Sequence, residues 1–211
     1  MEHLTKHLVR NDLKGIAARS LRNCHTIGLD SIVLVHKDER CLVRLFVARP
    51  EHDLWMNNPV LRMPLSIALH PHHCQITLHV VKGVLHNHVA RIGSTPGSYV
   101  RKMGQYLFRS AIKSGEPATF ERGDDVNVSI PITNHIWEGD AAHMPATDIH
   151  TVSVTRGEVC AWFVYEGAEN PDHIPLCWTD NHALVSKPLE GLYQPMSEEE
   201  VMTALTLAEL I

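Results

Sequence analysis

The chain has 211 residues, 44% of them hydrophobic and 20% charged, with a net charge of −5. That composition is globular rather than disordered and suits a single domain spanning residues 1–211. It excludes the basic footprint of a nucleic-acid binder, and no apolar run of about 18 residues offers a membrane span.

Residues 3–22 read as an amphipathic helix. Leu4, Leu8, Leu13, Ile16, Ala17 and Leu21 fall near one stripe, interrupted at Gly15, and the helix is expected to pack outside the main body. Residues 32–36 and 41–47 read as strands, with Lys37-Asp38-Glu39-Arg40 as the turn between them. Residues 65–70, 76–82 and 84–92 continue the strand pattern. Residues 93–123 break it and read as an insertion, a strand pair covering one mouth of a barrel. Residues 126–132 alternate strictly, and Pro131 places that strand at an edge or an end. Residues 150–154 and 159–165 form a hairpin across Thr155-Arg156-Gly157-Glu158. The tail, residues 168–211, is proline-bearing loop followed by a short helix. Ser197-Glu198-Glu199-Glu200 has the capping-box form, and the helix runs to about Leu210. Successive strands with short connections predict a mainly β, antiparallel sandwich or barrel over about 30–167, with helical appendages at both ends.

The first seven residues, Met1 to His7, hold no apolar stretch of the signal-peptide kind. The five cysteines (Cys24, Cys41, Cys74, Cys160, Cys177) are scattered and odd in number, which points to reduced thiols and a cytoplasmic location.

The chemistry concentrates in Leu69-His70-Pro71-His72-His73-Cys74 and the apolar run after it. Residues two apart on a strand share a face, so His70 and His72 can aim two imidazoles at one point. Neutral imidazole is a ligand for zinc, iron, copper and nickel. A second pair, His86 and His88, sits on the next strand as the alternative. Ile76, Leu78 and Val80 share one apolar face, which reads as interior, and His79 points away from it. His73 faces away from His72 on an ideal strand and would replace it only if a bulge shifted the turn. A later stretch, Gly139-Asp140-Ala141-Ala142-His143-Met144-Pro145-Ala146-Thr147-Asp148-Ile149-His150, supplies a further histidine.

Together these stretches resemble the two motifs of the cupin superfamily. His70, His72 and Gly83 fit the first, and Gly139, Pro145 and His150 fit the second. Pro64 stands for the leading glycine, Ile76 for the glutamate ligand, Thr147 for the second glycine and Val154 for the asparagine. The resemblance implies a double-stranded β-helix, or jelly-roll barrel, with a metal on His70, His72 and His150. Gln75 could stand in for the glutamate only through a bulge.

A three-histidine cupin is similar to the thiol dioxygenases, and that likeness carries further expectations. The metal is Fe(2+), with Zn, Ni or Mn as alternatives. Arg44, on an early strand, grips a substrate carboxylate. Tyr165 matches the tyrosine of the family's S-x-H-x-Y run, where the serine and histidine are absent. Apart from that likeness, His143, just before Pro145, reads as a surface histidine or as an acid or base at the barrel mouth. The implied function is a mononuclear non-haem iron(II) dioxygenase acting on a small thiol- or carboxylate-bearing substrate. The alternatives are a metal-dependent isomerase, lyase or hydrolase, and a non-enzymatic small-molecule-binding cupin. The expected partner is a small molecule, not nucleic acid or membrane, and a homodimer is compatible with the sequence.

Overall fold

The computed structural model describes residues 2–37, 40–54, 68–94, 96–97, 99–109, 119–180 and 191–211. Strict alternation builds its strands. Along β4 (Cys74–Lys82) every second residue through Val80 is buried, and those residues are the apolar ones. The strands before it are β1 (Leu21–Arg22), β2 (Leu29–Lys37) and β3 (Arg40–Ala48). After it come β5 (Val84–Ile92), β6 (Tyr99–Arg109), β7 (Thr119–Trp137), β8 (Ala141–Met144), β9 (Ile149–Val154), β10 (Cys160–Glu169), β11 (Leu176–Thr179) and β12 (Gln194–Pro195).

These strands form two antiparallel sheets, ordered β12-β1-β2-β3-β10-β4-β8 and β11-β6-β7-β5-β9. Leu69 and His70 bridge the second sheet's two outer strands, pairing with Trp178 on β11 and His150 on β9. From β3 to β10 the chain therefore passes back and forth between the sheets, apart from the run β5-β6-β7, which stays in the second sheet. That winding makes a jelly roll, as expected from the sequence. Leu78, Val80, Leu85, Ile136, Val154 and Trp162 pack together between the sheets.

A second apolar layer covers the outside of the first sheet. Helix α1 (Glu2–Arg19) and helix α2 (Glu198–Leu207) pack Ile16, Val201 and Leu205 onto Ile32, Leu45 and Phe163. Ser197 caps α2 in the predicted box, its side chain accepting from the Glu200 N–H while the Glu200 side chain accepts from the Ser197 N–H. The interruption in α1 falls at Asp12 (φ −147°), not at Gly15. The Asp12 carboxylate accepts from the Gly15 N–H at 3.1 Å, recapping the helix in the space a Gly15 side chain would fill.

Other expectations shift. Residues 38–39 of the predicted turn and 65–67 of the predicted strand, Pro64 beside them, and residues 110–118 of the insertion lie outside the described residues. The insertion does contribute a strand pair, β6 with β7, but the pair extends the second sheet and is continuous with the strand predicted at 126–132. Pro131 lies in an interior strand. The ladder between β5 and β7 slips there, two β7 residues opposing Ala90, and such a bulge tolerates the missing N–H. β8 and β11 were not legible, being short segments without clear alternation. Cys24, Cys74, Cys160 and Cys177 are buried and form no disulfide, and burial pushes the Cys160 thiol up to about 12. No helix among the described residues is long and apolar enough to cross a membrane.

Both motif glycines hold left-handed backbone, Gly83 at φ +77° and Gly139 at φ +87°. A Cβ on Gly83 would lie 2.7 Å from the Val159 carbonyl oxygen, whereas one on Gly139 meets nothing within 4 Å. Gly139→Ala should cost about 1 kcal/mol of left-handed strain. Gly83→Ala should cost clearly more, because its strand pair must also shift. Chemical denaturation of the two variants measures the difference, and equal costs would reject the close approach at Gly83.

Candidate metal centre

Pro71 restricts His70 to extended backbone, which keeps His70 and His72 pointing the same way. Backbone pairing then brings the two distant motifs together. His70 and His150 exchange both of their N–H···O bonds, at 3.0 and 3.1 Å. The His72 N–H donates to the Ala146 carbonyl at 3.2 Å, at the turn that leads into β9. The ring centroids lie 5.0 Å (His70–His72), 5.5 Å (His70–His150) and 4.9 Å (His72–His150) apart. One nitrogen from each ring falls within 4.8 Å of the other two.

Hydrogen bonds on the far side of two rings decide which nitrogen faces inward. A carbonyl can only accept, so His70 donates its Nδ1–H to the Ala68 carbonyl at 2.9 Å. His150 likewise donates Nδ1–H to Asn87 Oδ1 at 2.6 Å. Each therefore turns a bare Nε2 inward, the arrangement found behind metal-ligating imidazoles. His72 Nε2 lies 2.7 Å from His150 Nε2, so without metal a proton occupies that gap. Two nitrogens on one tetrahedral metal sit about 3.4 Å apart for bonds of about 2.0–2.1 Å. A small widening of the gap is enough to admit the ion.

His150 is buried and the other two rings are half-buried, so the centre opens toward His70 and His72. Ile76 is 2% exposed and packs in the core between the sheets, as the apolar face predicted. No carboxylate joins the three histidines among the described residues. Gln75 is on the opposite side of β4 against Gly167, so it does not substitute.

The remaining expected residues divide. Arg44 lies on the interior face of β3, two residues from Phe46 and opposite Val164, both of which pack in the core between the sheets. Its guanidinium carbon is 5.7 Å from the Phe46 ring centre. Its charge acts on His25 and Tyr193. Tyr165 is not brought to the histidines: it alternates with the interior residues of β10 and packs into the layer beneath the helices. His143 is exposed on the outer side of β8, its Nδ1 3.2 Å from Thr77 Oγ1. The alternative pair is also elsewhere. Asn87 faces inward, so His86 and His88 face out; His86 Nδ1 lies 2.7 Å from His135 Nδ1. Both His88 nitrogens are engaged by hydroxyls, Thr133 at 3.0 Å and Ser153 at 2.8 Å.

Two residues at the centre had no sequence signal. The His25 ring centre is 6.2 Å from that of His70, and Tyr193 Oη lies 3.0 Å from His25 Nδ1. Both hold left-handed backbone, at φ +68° and +52°, as does Asn23 at +50°. A polar network fixes them there. Arg49 pairs with Asp30 at 3.2 Å and donates to Asn23 Oδ1 at 2.8 Å. Asn23 in turn accepts from the Gly28 N–H, donates its amide to the Gly191 carbonyl and receives the Tyr193 N–H on its own carbonyl. Burial, then the neighbouring charges of His70 and Arg44, holds the His25 pKa down at about 3. Burial likewise lowers His70, His72 and His150 below the ordinary histidine range.

No protein family matches the sequence, and no curated protein matches it. The solved structures that the chain is similar to include the following three. The polyketide cyclase RemF from Streptomyces resistomycificus overlays with a TM-score of 0.38 at 14% identity, over 76% of this chain and 78% of that one. The Drosophila melanogaster CENP-C cupin domain gives 0.38 at 10% identity, over 77% and 95%. Drosophila melanogaster CENP-C bound to CAL1 gives 0.40 at 10% identity, over 79% and 98%. These overlaps are too loose to carry a residue correspondence.

Two outcomes follow from the geometry. His70→Ala, His72→Ala and His150→Ala should each remove most bound metal, and Asn87→Ala should weaken binding by about 10- to 100-fold. His86→Ala and His88→Ala should leave it unchanged. Chelator competition on the six variants measures this, and full occupancy in His150→Ala would reject the centre. The second outcome concerns pH. The buried rings stay neutral in the folded protein, His88 being held at about 4, while unfolded histidines take a proton near 6.5. Below that pH the unfolded chain binds more protons, so stability falls as pH drops. Melting of metal-free protein from about pH 7.5 to about pH 5 should show a falling Tm, and a flat profile would mean that the rings are solvated.

Proposed function

We propose that this protein is a mononuclear non-haem iron(II) dioxygenase acting on a small organic substrate that bears a thiol or a carboxylate. The observation that carries the reading is the three-imidazole cluster, held neutral by burial, with the His25 ring beside His70 and Arg44 near enough to His25 to act on it. Three neutral ligands leave a divalent ion its full charge and free positions, which suits an anionic ligand atom more than a closed structural role. Bound iron would supply the redox chemistry, joining substrate to dioxygen.

The protein's part is binding and orientation. Arg44 offers a paired-donor grip on a carboxylate. The Tyr193 hydroxyl and the His25 ring line the same wall and offer polar contacts beside it. Asn87 holds the His150 ring in its ligating tautomer. Phe46 and Trp162 stack with ring centres 5.5 Å apart beside Arg44, and this apolar surface would favour a compact substrate.

Reconstitution under anaerobic conditions with iron(II), zinc, nickel or manganese, followed by a panel of small thiols and carboxylates with and without oxygen, tests this. Oxygen uptake with iron alone is the expected result. Arg44→Gln should then raise KM by about tenfold or more for carboxylate substrates, with little change in kcat. Turnover with zinc in the absence of oxygen would instead indicate a hydrolase, lyase or isomerase. Tight substrate binding without turnover would indicate a binding protein.

A further inference from the structure

Immediately past the metal centre the chain carries a second group of ligating side chains that the proposed activity does not use. One donor atom each from His73, Cys74 and Glu166 lies within 4.8 Å of the other two. His73 Nε2 and Glu166 Oε2 are 3.6 Å apart, too long for a hydrogen bond and close to the spacing of two ligands on one tetrahedral ion. We propose that His73, Cys74 and Glu166, with His173 as the fourth ligand, form a zinc site separate from the three-histidine centre.

Three features of the backbone converge on it. β10 pairs with β4 through Glu166↔Ile76 and then Glu169↔Cys74, so three steps on one strand span two on the other. A bulge of this kind re-aims a side chain, and here it falls between Glu166 and Glu169, at the edge of the ligand group. Gly167 lies in the bulge, where a Cβ would sit 2.7 Å from the Gln75 side chain, so a larger residue would have to displace that side chain. Beyond β10 the chain folds back onto the same spot. The Asn170 N–H donates to the His73 carbonyl at 2.6 Å, and the His173 N–H donates to the Asn170 carbonyl at 3.1 Å. That places the His173 ring centre 6.3 Å from the His73 ring.

The donor set differs from that of the first centre. A thiolate and a carboxylate cancel the charge of a divalent cation, and with two imidazoles they close a tetrahedral shell. Sulfur among nitrogen and oxygen donors favours zinc over harder cations. The site would be structural, clipping the 170–175 segment to the start of β4. His173 also lies near enough to His70 to act on it electrostatically, so the clip would help shape the wall of the first centre.

Cobalt(II) substitution separates the two centres, because only this one contains sulfur. Cobalt-loaded wild type should bind a second equivalent of metal and show a thiolate-to-cobalt charge-transfer absorption. The band should survive in His70→Ala/His72→Ala/His150→Ala and vanish in Cys74→Ser, which keeps the other equivalent. Absence of the band in wild type, its persistence in Cys74→Ser, or its loss in the triple variant would each overturn the proposal. If Cys74→Ser does not fold, Glu166→Gln and His173→Ala carry the test with the thiol in place. Each should weaken the second equivalent by more than about tenfold, and unchanged binding in both would overturn the site.

Discussion

The backbone pairing of His70 with His150 is the constraint on which the site depends. The two residues exchange both main-chain hydrogen bonds, which puts their side chains on one face within reach of each other. The same segment joins the second sheet to itself, since Leu69 exchanges both bonds with Trp178 on β11. The three-histidine cluster and the closure of the barrel are thus one set of contacts. A change that frees residues 69–70 opens the sheet and scatters the ligands together. The buried position of Leu69, packed with Trp178, Met103 and Val128, gives that short segment an apolar anchor.

Polarity is sorted between the two faces of the sheets. Inside, apolar side chains surround imidazoles that burial keeps neutral. Arg44 adds a positive charge to that interior. On the outer face of the second sheet the histidines serve a different purpose. His88 is 0% exposed and satisfied by two hydroxyls, so it holds neighbouring strands together and offers no lone pair to a metal.

Two segments far apart in the sequence meet beside the three-histidine cluster. The loop after β1 supplies His25, and the strap before β12 supplies Tyr193. Pairing of β1 with β12 brings these two segments side by side. The Asp30–Arg49–Asn23 network then fixes both in left-handed backbone. Such conformations cost of order 1–3 kcal/mol each and persist only where surrounding contacts enforce them. The helical layer stabilises this arrangement from behind, since Met196, next to β12, packs with Ile16 and Leu205.

Local rules carried far in this chain. Period-two alternation made β4 and its inward face legible, so Ile76 could be placed in the interior at the position where a carboxylate would otherwise ligate. The His70-Pro71-His72 run, and the resemblance of Gly139, Pro145 and His150 to the second cupin motif, made the three-histidine cluster legible, because each half is set by a few nearby residues. The cap of α2 was legible for the same reason. Pairings between distant segments were not. His25 and Tyr193 are 168 residues apart, and neither carries a motif. In His86-Asn87-His88 the histidines drew attention, yet strand register turns the asparagine inward to support His150. Tyr165 matched a pattern of residue types but falls on the wrong parity of β10, under the helices. A one-residue step along a strand reverses which face a side chain occupies. Sequence alone thus identified the histidines that can ligate, and only the pairing of the strands decided which other side chains face them.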